Sequence, residues 1–369
     1  MSLAVWAIDP DRRRRGQVRA TACTAVFRDA DVGTWQIDIP LKRRHASLFQ
    51  PGWRVLINDG DVTMSGPITD IAPNLAEWTL TLSGVDDLVH CRDRLVYPNP
   101  FQAADAQGDA YFKRTGPAAE VIDYLVHKNA GSGALTDRRV SGLAMAVGQG
   151  GLLGSTVTAN LRFKNLLEES RALARLGGVT FWAVQEGELI RFRFRVPEDR
   201  SRWVRFTGKN TGVTEGSYDL GAPTGTAAIV AGQGEGAART IIERTRPSEW
   251  GRRIEVFKDQ RDTDDMAELE QSATEQLDDG AASAGAQFTV AETPRHRFGT
   301  DFFLGDTVSV EVGTLTISEP VRAVELAWDG QGRTAKLTLG DNDAADQDTP
   351  TDVKRWKELD ARVRSQEVR

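Results

Sequence analysis

Two segments of this chain, Pro51–Ile71 (PGWRVLINDGDVTMSGPITDI) and Leu304–Val324 (LGDTVSVEVGTLTISEPVRAV), lie on one another without a gap. Six pairs are identical: Gly52/Gly305, Val55/Val308, Gly60/Gly313, Thr63/Thr316, Ser65/Ser318 and Pro67/Pro320. Ile57/Val310, Met64/Ile317, Ile68/Val321 and Ile71/Val324 keep apolar character. A repeat constrains architecture more than any local signal, because two copies of one pattern fold as two copies of one unit. Downstream, Leu80-Thr81-Leu82 is matched by Leu337-Thr338-Leu339, with a loop four residues longer in the second copy, which extends the correspondence to three strands. A duplicated β unit points toward assembly before catalysis.

At 369 residues and 40% hydrophobic content, the chain can bury two or three cores. A formal charge of −7 argues against a dedicated nucleic-acid binder, which carries a basic balance or face. No run reaches the roughly 18 apolar residues of a spanning helix. The N-terminal MSLAVWAIDPDRRRR has an apolar stretch too short, and on the wrong side of its basic run, for a secretion signal, so synthesis and folding in cytoplasm are expected. Cys23 and Cys91 are the only cysteines and read as buried free thiols.

Strands are expected at Ala20–Phe27, Thr34–Ile39, Trp53–Ile57, Val62–Ile71 and Trp78–Ser83, forming a small antiparallel barrel or sandwich. Asp59-Gly60 reads as the centre of a type I′ hairpin turn. Arg92 to about Gly116 is rich in Pro, Ala and Asp and reads as a linker or irregular excursion. Pro117 opens a helix with the stripe Val121, Ile122, Leu125 and Val126, stopped at Asn129-Ala130-Gly131. A second helix runs from about Asn165 to Gly177-Gly178, and strands Thr180–Val184 and Glu188–Val196 flank Glu186-Gly187. Asp264–Leu277 is a further helix with an acidic first turn. Asn342–Thr351 is a polar linker, and Asp352–Val368 a charged helix with Val353, Trp356, Leu359 and Val363 close on one face.

Motifs for chemistry are weak. Gly232-Gln233-Gly234-Glu235-Gly236-Ala237 matches dinucleotide-binding spacing, but Arg239–Arg244 is β-branched and no βαβ units surround it; a glycine turn between strands fits better, and no cofactor is expected. Arg12–Arg15 reads as a solvated turn. Arg191, Arg193 and Arg195 alternate with Ile190, Phe192 and Phe194, giving one apolar and one cationic face. That face is either solvated or a contact between subunits, with Glu186, Glu188 and Glu198 near enough to supply counter-charge. His45, His90, His127 and His296 are isolated, without metal-ligand spacing. Asp86-Asp87, Asp264-Asp265 and Asp278-Asp279 each have a local reading at a turn or helix end. No catalytic, cofactor-binding or metal residue is selected. The candidate interface residues are Arg191, Arg193, Arg195, Trp356 and Val363.

An ordered series of segments carries a resemblance: Gly33–Pro40 (GTWQIDIP), Pro51-Gly52 leading to Ser65–Ile71 (SGPITDI), Leu80–Asp87 (LTLSGVDD) before Asp93–Pro98 (DRLVYP), Thr115–Ala119 (TGPAA), Gly232–Arg239 and Leu304–Val308. The chain resembles the minor tail or tail-hub proteins of siphophages infecting actinobacteria, relatives of the baseplate-hub and tail-associated-lysin-like group. The resemblance implies a mainly β fold with an α+β insert and two related tube-like antiparallel β-barrels, carrying the repeat at 51–83 and 304–340. The expected domains are a first hub barrel over 1–98, the insert over 99–200, a second hub barrel with its helix over 201–341, and a linker with a short C-terminal helix over 342–369. It also implies a homotrimeric ring with pseudo-sixfold symmetry in the virion tail tip, since three copies of a duplicated domain approximate a sixfold surface. Implied partners are a distal tail protein or tube ring, the tape-measure protein, and tail fibre or tip proteins. The rival expectations are a tail-associated cell-wall hydrolase with an acidic cleft in the insert and a carbohydrate- or receptor-binding module.

Overall fold

The structure is a computed structural model, described here for residues 3–42, 47–146, 153–207, 215–290, 296–312, 315–330 and 332–340. It divides into two compact units, one holding residues 1–216 and 287–339 and the other residues 217–286.

The larger unit begins with β1 (Ala4–Ile8), β2 (Arg14–Val18), β3 (Ala22–Arg28), β4 (Thr34–Pro40), β5 (Arg54–Asn58), β6 (Thr63–Asn74) and β7 (Thr79–Val85). Period-two patterning drives the central strands: Trp35, Ile37 and Ile39 are buried on β4, while Thr34, Gln36 and Asp38 point the other way. β1 and β2 are strands that the sequence reading leaves out. Arg12 and Arg13 belong to the turn before β2 while Arg14 and Arg15 lie within the strand, so the run is exposed as expected from Arg13 to Arg15 but only its first half is a turn. Arg15 reaches Asp9 at 2.5 Å, and Arg14 lies over the Trp6 ring with 4.9 Å to its centroid.

After an insert come β13 (Arg205–Thr207), then β14 (Glu215–Gly221), which leads into the smaller unit, β18 (Ser283–Val290), which leads out of it, and β19 (Thr307–Val312), β20 (Leu315–Trp328) and β21 (Arg333–Gly340). The repeat is reproduced residue by residue. Arg54 faces Pro67, Leu56 faces Ser65 and Ile57 faces Met64; in the second copy Thr307 faces Pro320, Ser309 faces Ser318 and Val310 faces Ile317. The bulge also recurs, between Ile68 and Asp70 and between Val321 and Ala323. Gly52 and Gly305 both hold φ +82° ahead of the first repeated strand, a conformation that glycine adopts without steric cost.

Two readings of this region are corrected. Ile71 faces Leu82 and Val324 faces Leu337, so Leu80 corresponds to Ala335, and the second connecting turn is two residues longer rather than four. A slip of two keeps every side chain on its own face, so alternation alone does not expose it. In the first turn, the Asp59 N–H meets the Val62 carbonyl at 3.3 Å, which centres the turn on Gly60-Asp61. Only Gly60 there has positive φ (+99°), which excludes type I′. The matching Gly313 lies outside the described residues.

Two separate closed barrels do not form from the described pairings of this unit. The strands run as one open path, β2-β1-β5-β6-β7-β4-β3-β20-β21, with β19 on β20 and β13 on β19. The copies join where β3 pairs antiparallel with β20, from Ala323 opposite Arg28 to Trp328 opposite Cys23.

The insert packs against the first copy. A single helical turn, Val89–Arg92, leads to β8 (Phe112–Pro117), a strand within the stretch expected to be irregular. Helix α1 (Ala118–Asn129) buries Val121, Ile122, Leu125 and Val126 as its stripe requires. β9 (Leu143–Ala144) and β10 (Thr156–Leu161) follow, with β10 antiparallel to β8. Helix α2 (Leu166–Gly177) is capped by the Asn165 side chain, which accepts the N–H groups of Leu167 and Glu168, and ends at Gly178 in the left-handed region. β11 (Thr180–Glu186) and β12 (Leu189–Arg195) form a hairpin about Gly187. Their inward rings cluster, with Phe181 and Phe192 stacked at 5.9 Å.

The smaller unit holds β15 (Ala227–Ala231), β16 (Ile241–Thr245), β17 (Glu255–Asp259) and helix α3 (Met266–Asp279). β15 pairs antiparallel with β16 and parallel with β17. Leu269, Ala273 and Leu277 of α3 cover Ala228, Val230 and Ile242. The Gly232–Ala237 segment is the loop between β15 and β16, the strand-loop-strand turn expected of it.

Candidate assembly interface

The arginine row on β12 forms because Ile190, Phe192 and Phe194 are drawn into the core, at no more than 4% exposure, which turns Arg191, Arg193 and Arg195 outward. Arg193 grips both oxygens of Glu186 at 2.6–2.9 Å, and Arg191 lies 3.6 Å from the same carboxylate. Glu188 takes Arg13 and Glu198 takes Arg200, so all three nearby acids pair with arginine. Arg195 differs. Its guanidinium meets Asp306 at 2.8 Å and lies 4.8 Å from the Phe303 ring centroid. Asp306, fully buried, also takes Arg200 at 3.0 Å and accepts the Glu198 and Phe303 N–H groups at 2.8 and 3.0 Å.

A second buried carboxylate ties the insert to the first copy. Asp87, with no exposed surface, receives the Arg54 guanidinium of β5 and the Ser65 hydroxyl of β6 at 2.6 Å. Ser65 in turn accepts the Gln185 N–H of β11 at 2.7 Å, and the Arg54 Nε donates to the Gln185 side chain at 3.4 Å. His90 Nε2 lies 3.4 Å from the Arg54 guanidinium. Burial holds the His90 imidazole below its ordinary pKa of 6.5; Asp87 opposes that shift and Arg54 reinforces it. The hairpin β11–β12 thus reaches the first copy through Gln185 and the second through Arg195.

A third site joins the copies directly. Asp59, 4% exposed in the turn after β5, accepts the Trp328 indole N–H at 3.2 Å and Arg333 at 2.6 Å. Asp61 beside it pairs with Arg297 and lies 3.3 Å from Arg333. The hairpin tip of copy two therefore seats on the strand turn of copy one. The equivalent tip of copy one is open: Leu75 is 71% and Trp78 68% exposed.

Of the residues selected from sequence, Arg191, Arg193 and Arg195 share one face with the pairings above, whereas Trp356 and Val363, with the linker and helix that carry them, lie outside the described residues. Sequence reasoning treated Asp87 and Asp59 as turn residues and His90 as isolated. Their partners come from distant strands, which no local sequence signal reveals. Cys23 and Cys91 are buried and free; burial pushes the Cys23 thiol up to about 12 and raises that of Cys91. Among the described residues no three His, Cys, Asp or Glu side chains gather to hold a metal ion, and no helix is long and apolar enough to cross a membrane.

The fold occurs in phage tail proteins. The 43 kDa tail protein of prophage MuSo2 from Shewanella oneidensis superposes with a TM-score of 0.58 at 14% identity, covering 92% of this chain and 98% of that one. The tail protein from Neisseria meningitidis MC58 gives 0.54 at 13% identity, over 93% and 98%. Prophage tail protein gp18 from Listeria monocytogenes EGD-e gives 0.54 at 12% identity, over 92% and 94%. No curated protein matches the sequence. Residues 2–341 match the family described as Siphovirus ReqiPepy6 Gp37-like protein, and the chain belongs to that siphovirus tail protein family.

Proposed function

We propose that three copies of this chain assemble into a closed ring in the phage tail tip. The ring acts as a structural hub with pseudo-sixfold symmetry, links the tail tube or a distal tail ring to the tip, and encloses a channel. The observation that carries this reading is the residue-by-residue register of the two copies within one chain. A threefold ring of such chains presents six near-equivalent β units, which fits a sixfold neighbour. Closure of the two barrels into a tube belongs to this ring. The distal tail protein, the tape-measure protein and tail fibre or tip proteins are the partners it would meet, and the β12 arginine row is a candidate contact for one of them.

One face of the sheet supports the channel. A straight row, Asp70–Ser83–Gln36–Thr24–Ala327–Thr334, crosses six strands from copy one to copy two. The residues of the next row point to the opposite face, where Leu82, Ile37, Cys23 and Trp328 are buried and Ile71 is half-buried. Apart from the Asp70 carboxylate at its end, hydroxyls, amides and small side chains give a wetted wall with little grip on passing cargo, and Glu325 facing Lys336 leaves that pair neutral. Cryo-EM of the assembled tail tip tests the reading: three copies around an axial channel, with this face inward, are expected. A monomeric position without a channel overturns it.

A further inference from the structure

Three stretches of the larger unit, distant in sequence, meet around a cavity of about 180 Å³: the end of β3 with the start of β6, strand β11, and residues 298–304 ahead of β19. Close-packed interiors hold few voids larger than a water molecule, and an apolar cavity of about 150 Å³ takes up benzene. This one has room for a single ring.

Its wall is chemically biased. Phe27, Phe181, Trp182, Phe298 and Phe303 contribute aromatic rings, and Met64 adds a thioether. A further ring finds edge and face partners among them, and the sulfur suits a ring edge. The wall is set before anything binds, because Arg333 donates to the Phe298 carbonyl at 2.7 Å and the Arg297 N–H donates to the Asp301 carboxylate at 2.8 Å. Phe27 and Phe298 pack with their centroids 5.5 Å apart. Trp182, 37% exposed, carries the wall out to the surface.

Of the charged side chains in the wall, Asp61 pairs with Arg297, Arg195 pairs with Asp306, and Arg28 is engaged as well. Asp86 differs. Its Oδ2 accepts the Gly33 N–H and its Oδ1 the Leu88 N–H, each at 2.9 Å, and among the described residues no side chain pairs with it. Each oxygen keeps a further hydrogen-bonding direction. Burial pushes this carboxyl well above its ordinary range; the two N–H groups oppose the shift, and Asp87 and Asp31 add to it. An anionic guest would meet Asp86, and a cationic one would meet Arg28 and Arg195. A neutral hydroxyl avoids both penalties and can donate to, or accept from, the carboxyl.

We propose that this cavity binds a phenol, its ring among the aromatic side chains and its hydroxyl on the Asp86 carboxyl. A free phenolic molecule and the side chain of a tyrosine on a neighbouring protein present the same chemistry. The site stands independently of the ring assembly above.

The test titrates the full chain with p-cresol, toluene and 4-methylbenzylamine, followed by ligand-observed NMR. One p-cresol per chain is expected, with toluene and the amine each weaker by roughly tenfold, the worth of one hydrogen bond. Ala183 lines the cavity, so Ala183→Leu should abolish p-cresol binding with circular dichroism and melting unchanged. Asp86→Ala should bring p-cresol and toluene to equal affinity while toluene binding is kept, a readout that a merely structural role would not move. N-acetyl-tyrosinamide separates the sources: displacement of p-cresol admits a tyrosine side chain, and failure to displace it leaves the free phenol as the ligand. Absence of saturable p-cresol binding to the wild-type chain, equal affinity for toluene, or binding that survives Ala183→Leu overturns the proposal.

Discussion

Replacing Asp87 by leucine removes the one carboxylate that, among the described residues, faces the Arg54 guanidinium, which is itself 7% exposed. Arg54 would then keep only His90 and the Gln185 side chain, each at 3.4 Å, and neither carries a compensating negative charge. Stranding one member of a buried ion pair costs about 3–5 kcal/mol, mostly the desolvation of the remaining charge. Unfolding entropy near 2.1 cal/mol/K per residue, over the roughly 270 residues of the larger unit, amounts to about 0.6 kcal/mol/K. The expected fall in Tm is therefore roughly 5–9 °C, read by calorimetry on the transition of that unit. The double variant Arg54→Met with Asp87→Leu removes both charges and should recover most of the loss, because two apolar side chains carry no such desolvation cost. The measured coupling separates this account from simple packing loss. A single variant that melts within about 2 °C of wild type, or a double variant worse than the sum of the singles, refutes the reasoning.

Gly52→Ala and Gly305→Ala impose the same backbone strain at φ +82°, about 1–2 kcal/mol, but only the second brings its new methyl to 3.0 Å from Pro197; urea denaturation should show Gly305→Ala as the more damaging of the two. Phe192→Ala opens a cavity beneath β12, where Phe181 and Phe194 pack on the ring, and should cost about 3–5 kcal/mol in the same assay. His90 is held neutral in the fold and titrates at 6.5 when unfolded, so the unfolded chain binds the extra proton first. Stability should be full above about pH 6.5 and fall as pH drops toward the lower folded value; His90→Gln should flatten that part of a melting-versus-pH curve, and an unchanged slope counts against the assignment.

Local elements were legible where one short-range cause decides them. The stripe Val121, Ile122, Leu125 and Val126, the Asn165 cap and the left-handed Gly178 stop each act within a few residues, and both helices fall within a residue or two of the expected ends. The repeat was legible because its identities shape backbone: Gly52 and Gly305 set a positive φ, and Pro67 and Pro320 hold matching places in the ladder. What stayed hidden is non-local. Nothing in residues 20–28 says that β3 will pair with a strand about 300 residues later, and this pairing replaces two closed barrels by one continuous sheet. The buried acids escaped for the same reason, since Asp87 reads as a turn residue until Arg54, Ser65 and Gln185 surround it. Arg195 read as one of three equivalent cations until Asp306 singled it out.

The pattern of sameness and difference between the copies carries information that neither copy holds alone. Residues that hold the backbone are kept: the two ladders run in one register and bulge at the same place. The aligned residues at the turn and the tip diverge: Val312 and Thr314 align with Asp59 and Asp61, and Leu75 and Trp78 with Trp328 and Arg333. Within the chain, the difference is legible as two tips with different surroundings: Trp328 and Arg333 are held by Asp59 and Asp61, whereas Leu75 and Trp78 are exposed.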